Sequence, residues 1–500
     1  MKYNFIETND VVKSIYEING INEEELNKEY DFIIKDEVFL NFKDKLLENK
    51  DKKFLIVGDY DCDGICATTI IKKLLNHLNI QNNFIIPSRI NQGYGLNEEM
   101  VKMAKKHNFD CLILVDNGIV CNKEIDLANS LGIKVFIIDH HEYEFLPNAE
   151  CVIHSNIVNN TYSELSAGGL SFVLSRCFYD DELSLALGGL STISDMMKVT
   201  GFNRYLIKEM MSLLIKGDIY QLKLLNDSNT FTYESLSFNV IPKINALSRM
   251  EPIGDANKLV QYFLADEKTC RITIEQIDYV NEKRKANTKT MTAEAYRLIN
   301  NTDDVLIVSS CNFMEGLCGL VANKLVHSYN KPVIVLSFKD GVYKGSGRSI
   351  DGFNLYEALK PFENYDSFGG HEGAIGLSIK EENFQEFLNY VRDINIDIKE
   401  NYKDVFLINE ESINFKLLSQ LESLKPFGLG LKEPLLAIKN NAYKKMIVSC
   451  KYPKFIIRND LSAISFNEFY KDFNPEYLIG HIKEDGYHRD SIQLLIEDLV

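Results

Sequence analysis

The chain has 500 residues, of which 45% are hydrophobic, and it carries a formal net charge of −17. No apolar run reaches the ~18 residues of a membrane-spanning helix, and the amino terminus lacks the apolar core of a secretory signal. Ten cysteines without a Cys-x-x-Cys pair argue against zinc fingers and a disulfide framework, and favour a reducing cytoplasm. The acidic balance argues against a broad basic nucleic-acid-binding surface, but it allows a confined phosphate site.

Residues 1–50 are polar and acidic, and they are predicted to form a helical leader. The first apolar run, Phe54–Val57, leads into Asp59-Tyr-Asp-Cys-Asp-Gly64. Alternate residues of an extended segment point to the same side, so Asp59, Asp61 and Asp63 are expected to converge. Converging carboxylates repel one another unless they hold protons or bind a cation. This segment therefore predicts a metal site.

Two more apolar runs end in acidic residues. Cys111–Val115 leads into Asp116, and Val135–Ile138 leads into Asp139-His-His141. Each run is short and rich in β-branched residues, which is typical of a buried parallel strand. Ligands bind beyond the carboxyl ends of such strands, where these side chains lie.

Individually, these residues have ordinary structural explanations. An aspartate after a strand is usually a helix cap or a turn residue. Asp139 is open to two interpretations, as such a cap or as a hydrogen-bond partner that orients a histidine. A further candidate, Asp195, follows the break at Gly188-Gly189. The coincidence of five acids and a histidine at three strand ends favours a metal centre.

The second half of the chain begins with a long charged segment, residues 266–300, that has no Pro or Gly and is predicted to be one helix. Strand patterns return at Val305–Val308 and Val333–Leu336. From about residue 401 we expect a short linker and then β-rich sequence, with strands near Phe455, Ala463 and Gln493.

Several of these motifs together resemble the DHH phosphoesterases. The four motifs are Asp59–Gly64, Val115-Asp-Asn-Gly118, Asp139–His141 and Asp195, and Gly369-Gly-His371 resembles the Gly-Gly-His motif of the DHH-associated domain. Further segments are similar to the RecJ branch of the family: Gly93–Leu96, Ser166–Gly169, Pro242–Ala246 with Arg249, Lys344–Ser349, Gly352–Ala358 and Pro426–Gly430. The combination is specific, whereas any single motif is weak.

The resemblance implies an α/β protein in several parts. Residues 51–265 would form a parallel-sheet DHH domain, and 266–300 a connecting helix. Residues 301–400 would form a second α/β domain, the DHH-associated, substrate-binding domain. Residues 401–500 would comprise the linker and a β-rich, OB-like domain that suits single-strand binding.

The resemblance also implies a site with two divalent metal ions, manganese or alternatively magnesium. Asp116 would bridge the two ions. One ion would be held by Asp61 and Asp195, and the other by Asp63 and His140. Asp59 would be a metal ligand or lie next to a metal ligand. His141 would contact phosphate or act as an acid, or else only orient a neighbour. The expected substrate-binding residues are Arg89, Arg249, Ser346, Arg348, Gly369, Gly370 and His371.

The implied activity is 5′–3′ hydrolysis of single-stranded DNA to 5′ mononucleotides, in DNA repair and recombination. The implied partners are a single-strand-binding protein and a helicase, with no membrane. One alternative is a nanoRNase or cyclic-dinucleotide phosphodiesterase, which the Pro426 motif and the β-rich tail disfavour. The other is a non-catalytic DNA-binding scaffold, which the complete set of expected ligands disfavours.

The chain departs from the RecJ pattern at three places. Phe313-Met314 stands where a Trp-His pair is usual, Lys198 replaces a proline, and Leu431-Lys432 replaces Asn-Pro. None of these changes removes an expected metal ligand, although Met314 removes one expected substrate contact. The length predicts that an accessory C-terminal domain is absent.

Overall fold

The computed structural model describes residues 2–31, 33–217, 219–228, 230–396, 402–486, 488 and 490–500. The chain divides into two compact units: the first comprises residues 1–29, 198–204 and 400–500, and the second comprises 30–197 and 205–399. Among the described residues, no helix combines the length and the apolar character that crossing a bilayer requires.

The elements up to residue 264 are, in chain order, β1 (Lys2–Glu7), α1 (Val11–Asn19), α2 (Glu23–Leu26), α3 (Glu37–Glu48), β2 (Phe54–Val57), α4 (Cys62–His77), β3 (Asn82–Ile85), α5 (Glu98–Lys106), β4 (Cys111–Val115), α6 (Asn122–Ser130), β5 (Lys134–Asp139), β6 (Cys151–His154), α7 (Ala167–Arg176), α8 (Glu182–Ser194), α9 (Gly201–Lys216), α10 (Tyr220–Leu225), α11 (Tyr233–Ser235), α12 (Ile241–Arg249) and α13 (Asn257–Leu264).

The remaining elements are α14 (Glu267–Leu298), β7 (Leu306–Ser310), α15 (Cys318–Tyr329), β8 (Val333–Lys339), β9 (Val342–Arg348), α16 (Leu355–Leu359), β10 (Ser367–His371), β11 (Ala374–Lys380), α17 (Glu381–Arg392), β12 (Tyr402–Leu407), α18 (Phe415–Ser423), β13 (Leu436–Lys439), β14 (Lys444–Val448), β15 (Tyr452–Arg458), β16 (Leu461–Ile464), β17 (Tyr477–Glu484) and β18 (Ile492–Leu499).

The second unit contains the predicted parallel sheet. Its five strands lie in the order β3-β2-β4-β5-β6, and every neighbouring pair is parallel. Apolar side chains of the strands, such as Leu112 and Val135, pack against Val101 of α5 and Ile125 of α6. Because parallel strands present their carboxyl ends at one edge, the loops after β2, β4 and β5 lie together.

The second unit also contains the second α/β fold that the sequence predicts. Its sheet has the order β10-β11-β9-β8-β7, in which only β7 and β8 are parallel to each other. The 32-residue helix α14, capped by the side chain of Asp266, confirms the predicted connecting helix.

The first unit has an eight-stranded sheet in the order β1-β12-β13-β17-β18-β16-β15-β14. Strands β15, β16 and β18 confirm the strands expected near Phe455, Ala463 and Gln493. The prediction of a wholly helical leader is wrong at its start, because Lys2–Glu7 pairs in parallel with Tyr402–Leu407. The alternate residues Tyr3 and Phe5 pack on the sheet core, which gives the segment a strand-like pattern.

Arg204 fixes two chain segments within the first unit. Its guanidinium group donates to the backbone carbonyls of Leu26, Leu424, Lys425 and Pro426 at 2.9–3.0 Å. The side chain is 1% exposed, and burial lowers its pKa to about 10. Four carbonyl acceptors in place of a carboxylate therefore satisfy this buried charge.

Candidate metal centre

The loop after β2 positions three aspartates. The carboxylate of Asp61 caps α4 by accepting from the backbone N–H groups of Asp63 and Gly64, at 3.0 and 3.2 Å. A Cβ at Gly64 would lie 2.6 Å from the carbonyl oxygen of Asp59, so the tight turn requires glycine here. Asp59 and Asp63 are buried, with 4% and 2% of their surfaces exposed.

The amino terminus of α7 holds the carboxylate of Asp63. The backbone N–H groups of Ala167 and Gly168 donate to it at 3.0 and 2.7 Å, and the hydroxyl of Ser191 donates to the same carboxylate. The positive end of the helix dipole adds to this stabilisation. Asp63 is thereby held in one orientation in the interior.

Asp116 follows β4 in a conformation that is uncommon for an aspartate. Its φ is +60°, in the left-handed region, and its backbone N–H donates to the carbonyl of Ile138 at 2.9 Å. The side chain is buried, but its Oδ1 atom has no hydrogen-bond partner in the described residues. Backbone strain together with an unsatisfied buried oxygen is typical of a functional position.

His140 lies among three carboxylates. Its Nε2 atom is 3.3 Å from Asp116 Oδ1, 3.5 Å from Asp195 Oδ2 and 3.6 Å from Asp63 Oδ2. Asp59 Oδ1 and His140 Nε2 also have no hydrogen-bond partner among the described residues. Buried oxygen and nitrogen atoms that face one another without partners fit a divalent cation well.

The candidate ligand atoms form three groups, in each of which all atoms lie within 4.8 Å of one another: Asp63, His140 and Asp195; Asp59, Asp61 and Asp116; and Asp116, His140 and His141. Asp195 therefore groups with Asp63, whereas the sequence analysis expects it beside Asp61. Asp116 and His140 each belong to two of the groups, and the bridging position of Asp116 stays a prediction.

Asp139 differs from the other acids because hydrogen bonds occupy both of its oxygens. Its Oδ1 accepts from the backbone of His140 at 2.8 Å and of His141 at 3.2 Å, and lies 2.7 Å from His141 Nδ1. Its Oδ2 accepts from the backbone of Ile119 at 3.0 Å. The sequence allowed two interpretations of Asp139, a helix cap or a hydrogen-bond partner that orients a histidine, and the structure favours the second.

Burial and mutual repulsion favour the protonated form of several carboxyl groups. Burial raises the pKa of Asp116 and Asp59 well above the usual value, and neighbouring aspartates add to the effect. Burial, with repulsion from Asp63 and Asp61, raises the pKa of Asp195 to about 8. A bound cation would remove this repulsion and displace the protons.

The two histidines shift in opposite directions. Burial lowers the pKa of His140, which favours the neutral imidazole that binds metals. Burial is the largest single effect on His141 and opposes its charge, but the hydrogen bond to Asp139 and the negative charges of Asp139, Asp195 and Asp59 together outweigh it and raise the pKa to about 9. His141 is therefore a cation at neutral pH, with 43% of its side chain exposed.

Four half-buried arginines form a group next to the aspartate loop: Arg89 and Arg249 interact with Asp59 and Asp61, and Arg284 and Arg348 lie near Arg249. The guanidinium of Arg89 stacks over the ring of Tyr60 at 4.8 Å. Burial, then repulsion from Arg89 and Arg348, lowers the pKa of Arg249 to about 9. In the part of the chain that the structure describes, none of the four is paired with a carboxylate, as expected of an anion-binding site.

The glycine-rich motif of the second α/β fold lies on exposed backbone. Gly369, Gly370 and His371 end strand β10, and His371 Nδ1 accepts from the backbone of Gly373 at 3.3 Å. Ser346 lies on β9, two residues before Arg348. Among the described residues, no hydrogen bond, ion pair or ring contact links His371 to the metal-ligand group or to the arginines.

The structure adds residues to which the sequence analysis gives no role. The hydroxyl of Tyr94 donates to the carbonyl of Asp116 at 3.0 Å and lies 3.1 Å from His141 Nδ1. Asn245 Oδ1 accepts from the backbone of Cys62 at 2.9 Å, and so ties α12 to the aspartate loop. Tyr94 lies in the Gly93–Leu96 motif and Asn245 in the Pro242–Ala246 motif, so the sequence could have indicated both. Ser191 and Arg284 lie in no recognised motif, so the sequence gives no indication of their positions.

Comparison with known proteins identifies three domain families in the chain. The model of the DHH family, N-terminal domain, matches residues 53–192, the DHHA1 domain matches 303–396, and the RecJ OB domain matches 406–498. The matches fall in the order that the sequence analysis expects.

Two curated relatives share the description single-stranded-DNA-specific exonuclease RecJ. The Bacillus subtilis (strain 168) protein is 30% identical over 488 residues, covering 90% of this chain and 61% of its own length. The Salmonella typhimurium protein is 28% identical over 472 residues, covering 83% of this chain and 80% of its own length. The chain thus spans about three fifths of the B. subtilis relative.

A solved structure has the same fold. The crystal structure of RecJ in complex with Mn²⁺ from Thermus thermophilus superposes with a TM-score of 0.85 and 21% identity. The match covers 97% of this chain and 75% of the other.

Proposed function

The chain belongs to the RecJ branch of the DHH superfamily, and we propose that it is a metal-dependent exonuclease that digests single-stranded DNA from the 5′ end to 5′ mononucleotides. The observation that carries the proposal is a cluster of unsatisfied buried carboxylates with Arg89 and Arg249 next to it, neither of which forms an ion pair among the described residues. The carboxylates suit a divalent metal, and the guanidinium groups suit the phosphates of its substrate. The DHH, DHHA1 and RecJ OB matches support the same activity.

We assign the metal ligands from the grouping of donor atoms. One ion would be held by Asp63, His140 and Asp195, and the other by Asp59, Asp61 and Asp116. The Oδ1 atom of Asp116 lies 3.3 Å from Nε2 of His140, so Asp116 would be near enough to bridge the two ions. Manganese suits this mixture of carboxylates and imidazole, and magnesium is the alternative. When bound, the two ions would activate water for attack on phosphorus and neutralise the charge that develops on oxygen.

His141 would act on the phosphate directly. As a cation at neutral pH, it can donate a hydrogen bond to a nonbridging oxygen or protonate the leaving oxygen. Asp139 lies 2.7 Å from its Nδ1 atom, and the hydroxyl of Tyr94 lies 3.1 Å from Nδ1 and 3.5 Å from Nε2, so both residues would hold the ring beside the substrate. The catalytic residues are thus Asp116, His140 and His141.

The arginines would bind the phosphates of the strand. Arg89, Arg249 and Arg348 are the expected members of this group, and Arg284 joins them because its charge lowers the pKa of Arg249. Ser346, Gly369, Gly370 and His371 would contribute further contacts from the DHH-associated domain. Met314, which accepts from the side chain of Asn287 at 3.2 Å, would give no such contact.

We propose the following division of labour along the chain. Residues 51–265 would perform hydrolysis, 266–300 would connect, and 301–400 would bind substrate; residues 1–50 and 401–500 would lie outside the reaction itself. Within 401–500, the OB-like part would bind single strands. The protein would act in the cytoplasm in DNA repair and recombination, with a single-strand-binding protein and a helicase as partners.

The experiment that tests this function is digestion of long single-stranded DNA with a free or blocked 5′ end, beside duplex DNA and a dinucleotide, in manganese. We expect mononucleotides from the free single strand alone, and none from an Asp116→Ala variant. Faster hydrolysis of the dinucleotide would instead assign the protein to the nanoRNase class. DNA binding without any hydrolysis would favour the scaffold.

A further inference from the structure

Glu251 joins the two segments that carry Arg89 and Arg249. One carboxylate oxygen accepts from the backbone N–H of Arg89 at 3.1 Å, and the other accepts from the hydroxyl of Ser88. Glu251 itself lies two residues beyond Arg249, just after α12. A single carboxylate therefore ties the loop after β3 to the end of α12.

The partners of this carboxylate are uncharged. Within the described residues, Glu251 forms no ion pair, although it lies next to two segments that each carry an arginine. A glutamate that paired with either guanidinium would weaken phosphate binding there, because it would compete with the phosphate. Glu251 instead holds the backbone, and the positive charge of Arg89 stays available to a ligand.

The loop has its own internal support. The carbonyl of Ser88 accepts from the backbone of Gln92 and Gly93, at 2.9 and 3.1 Å, and Gln92 Oε1 accepts from the backbone of Ser88 at 2.9 Å. These bonds close the turn without Glu251. Losing the carboxylate should therefore shift the turn relative to α12 while leaving the turn itself intact.

We propose that Glu251 is a positioning residue for phosphate binding, which sets the separation between the guanidinium groups of Arg89 and Arg249. The inference rests on the proposed function for the identity of the ligand, a phosphodiester strand. A fixed separation matters because two guanidinium groups bind phosphate oxygens well only at defined positions, and their mutual repulsion drives them apart.

The test is a double-mutant cycle with Glu251→Ala, which removes both bonds, and Arg89→Gln. Affinity for a 5′-phosphorylated oligothymidine is measured by fluorescence anisotropy without added metal, and kcat is measured in manganese at saturating DNA. We expect Glu251→Ala to raise Kd about tenfold and to change kcat by less than about twofold. In the double variant, Kd should be no higher than in Arg89→Gln alone.

The salt dependence of Kd gives an independent readout. The slope of log Kd against log salt should fall by about 0.7 in both single variants if each loses one phosphate contact. If the change in Kd of the double variant equals the product of the two single changes, the two residues act independently and the proposal is overturned. So would a fall in kcat at unchanged Kd, which indicates disturbance of the metal centre instead.

Glu294→Ala provides a matched control. Glu294 Oε1 also accepts from a serine hydroxyl, that of Ser310 at 2.5 Å, and from Asn312 at 3.1 Å, but it holds a different loop. Its substitution should leave Kd unchanged. If the wild-type protein is inactive but its DNA binding depends on Glu251 as expected, the nuclease proposal alone is contradicted. If the enzyme is active but Glu251→Ala leaves Kd unaltered, this inference alone is contradicted.

Discussion

The Nδ1 atom of His141 lies 2.7 Å from a carboxylate oxygen of Asp139, and Asp139 is the residue that does most to raise the pKa of this histidine. Asp139 also accepts from the backbone N–H groups of both histidines, so it holds this turn of the backbone as well as the ring of His141. An acid at the end of a strand can thus serve a metal centre without binding the metal.

Replacing Asp139 by asparagine should lower the pKa of His141 from about 9 towards its ordinary value of 6.5. An amide keeps the hydrogen bond but does not stabilise the imidazolium. Activity at pH 8 should fall about 10- to 100-fold, as is usual when the partner of a site histidine is lost. A proton NMR titration of His141 checks the pKa, and an unchanged titration would show that Asp139 does not set the charge.

The metal-free protein should lose stability as the pH rises from 6.5 to 8.5. Asp195, with a folded pKa of about 8 against an unfolded value of 3.8, carries a proton in the folded state that the unfolded chain has released. His141, with a folded pKa of about 9, also binds its proton more tightly when folded. Both groups therefore stabilise the folded state at the lower pH, and the effect is lost as the pH rises.

Thermal unfolding in EDTA measures this effect, and we expect Tm to be about 2–4 °C lower at pH 8.5 than at pH 6.5. Manganese should reverse the trend, because metal binding competes with protons on the same carboxylates. In Asp195→Asn the pH dependence should be weaker. A metal-free Tm that rises with pH would contradict the proton assignment.

Substitution of Gly168 by alanine should damage the metal centre through Asp63. An added Cβ would lie 2.6 Å from Ser191 Cβ and 3.0 Å from Asp63 Oδ1, within the contacts that hold this carboxylate. We expect manganese affinity, measured by calorimetry, to fall at least tenfold with the fold retained. Gly486→Ala is the control, because a Cβ there meets no atom within 4 Å, and equal affinity in both variants would exclude the steric argument.

Arg204→Met should destabilise the first unit by on the order of 3 kcal/mol. The substitution leaves the carbonyls of Leu26, Leu424, Lys425 and Pro426 without their donor, and a buried unsatisfied group costs about 1–3 kcal/mol. Urea unfolding measures the loss. Arg271→Met serves as the comparison, because Arg271 is exposed and its pair with Glu267 contributes about 0.3–0.5 kcal/mol.

The parallel sheet and most of the candidate ligands could be predicted from the sequence. Short apolar runs identify β2, β4 and β5, and their carboxyl ends share an edge, so Asp59, Asp116 and His140 had to converge. The different roles of Asp116 and Asp139 could not be predicted, because both are acids after strands. Only the backbone N–H groups around Asp139 distinguish them.

Contacts between distant parts of the chain account for what the sequence analysis missed. Strand β1 pairs with β12 across a separation of 400 residues, as in the bond from Asn4 to Asp404. Arg284 is one charge among many on α14, and only packing brings it near Arg249. Glu251 is acidic without lying at a strand end, so no periodic pattern marked it.

The parallel pairing of β1 and β12 also sets an order of events during synthesis. At about 5–20 residues per second, β1 leaves the ribosome roughly 20–80 s before its partner strand exists. All strands of the second unit's two sheets are made within that interval. Strand β1 therefore reaches its native place only after the strands of the second unit have been made, and in the meantime Tyr3 and Phe5 are open to chaperones and proteases.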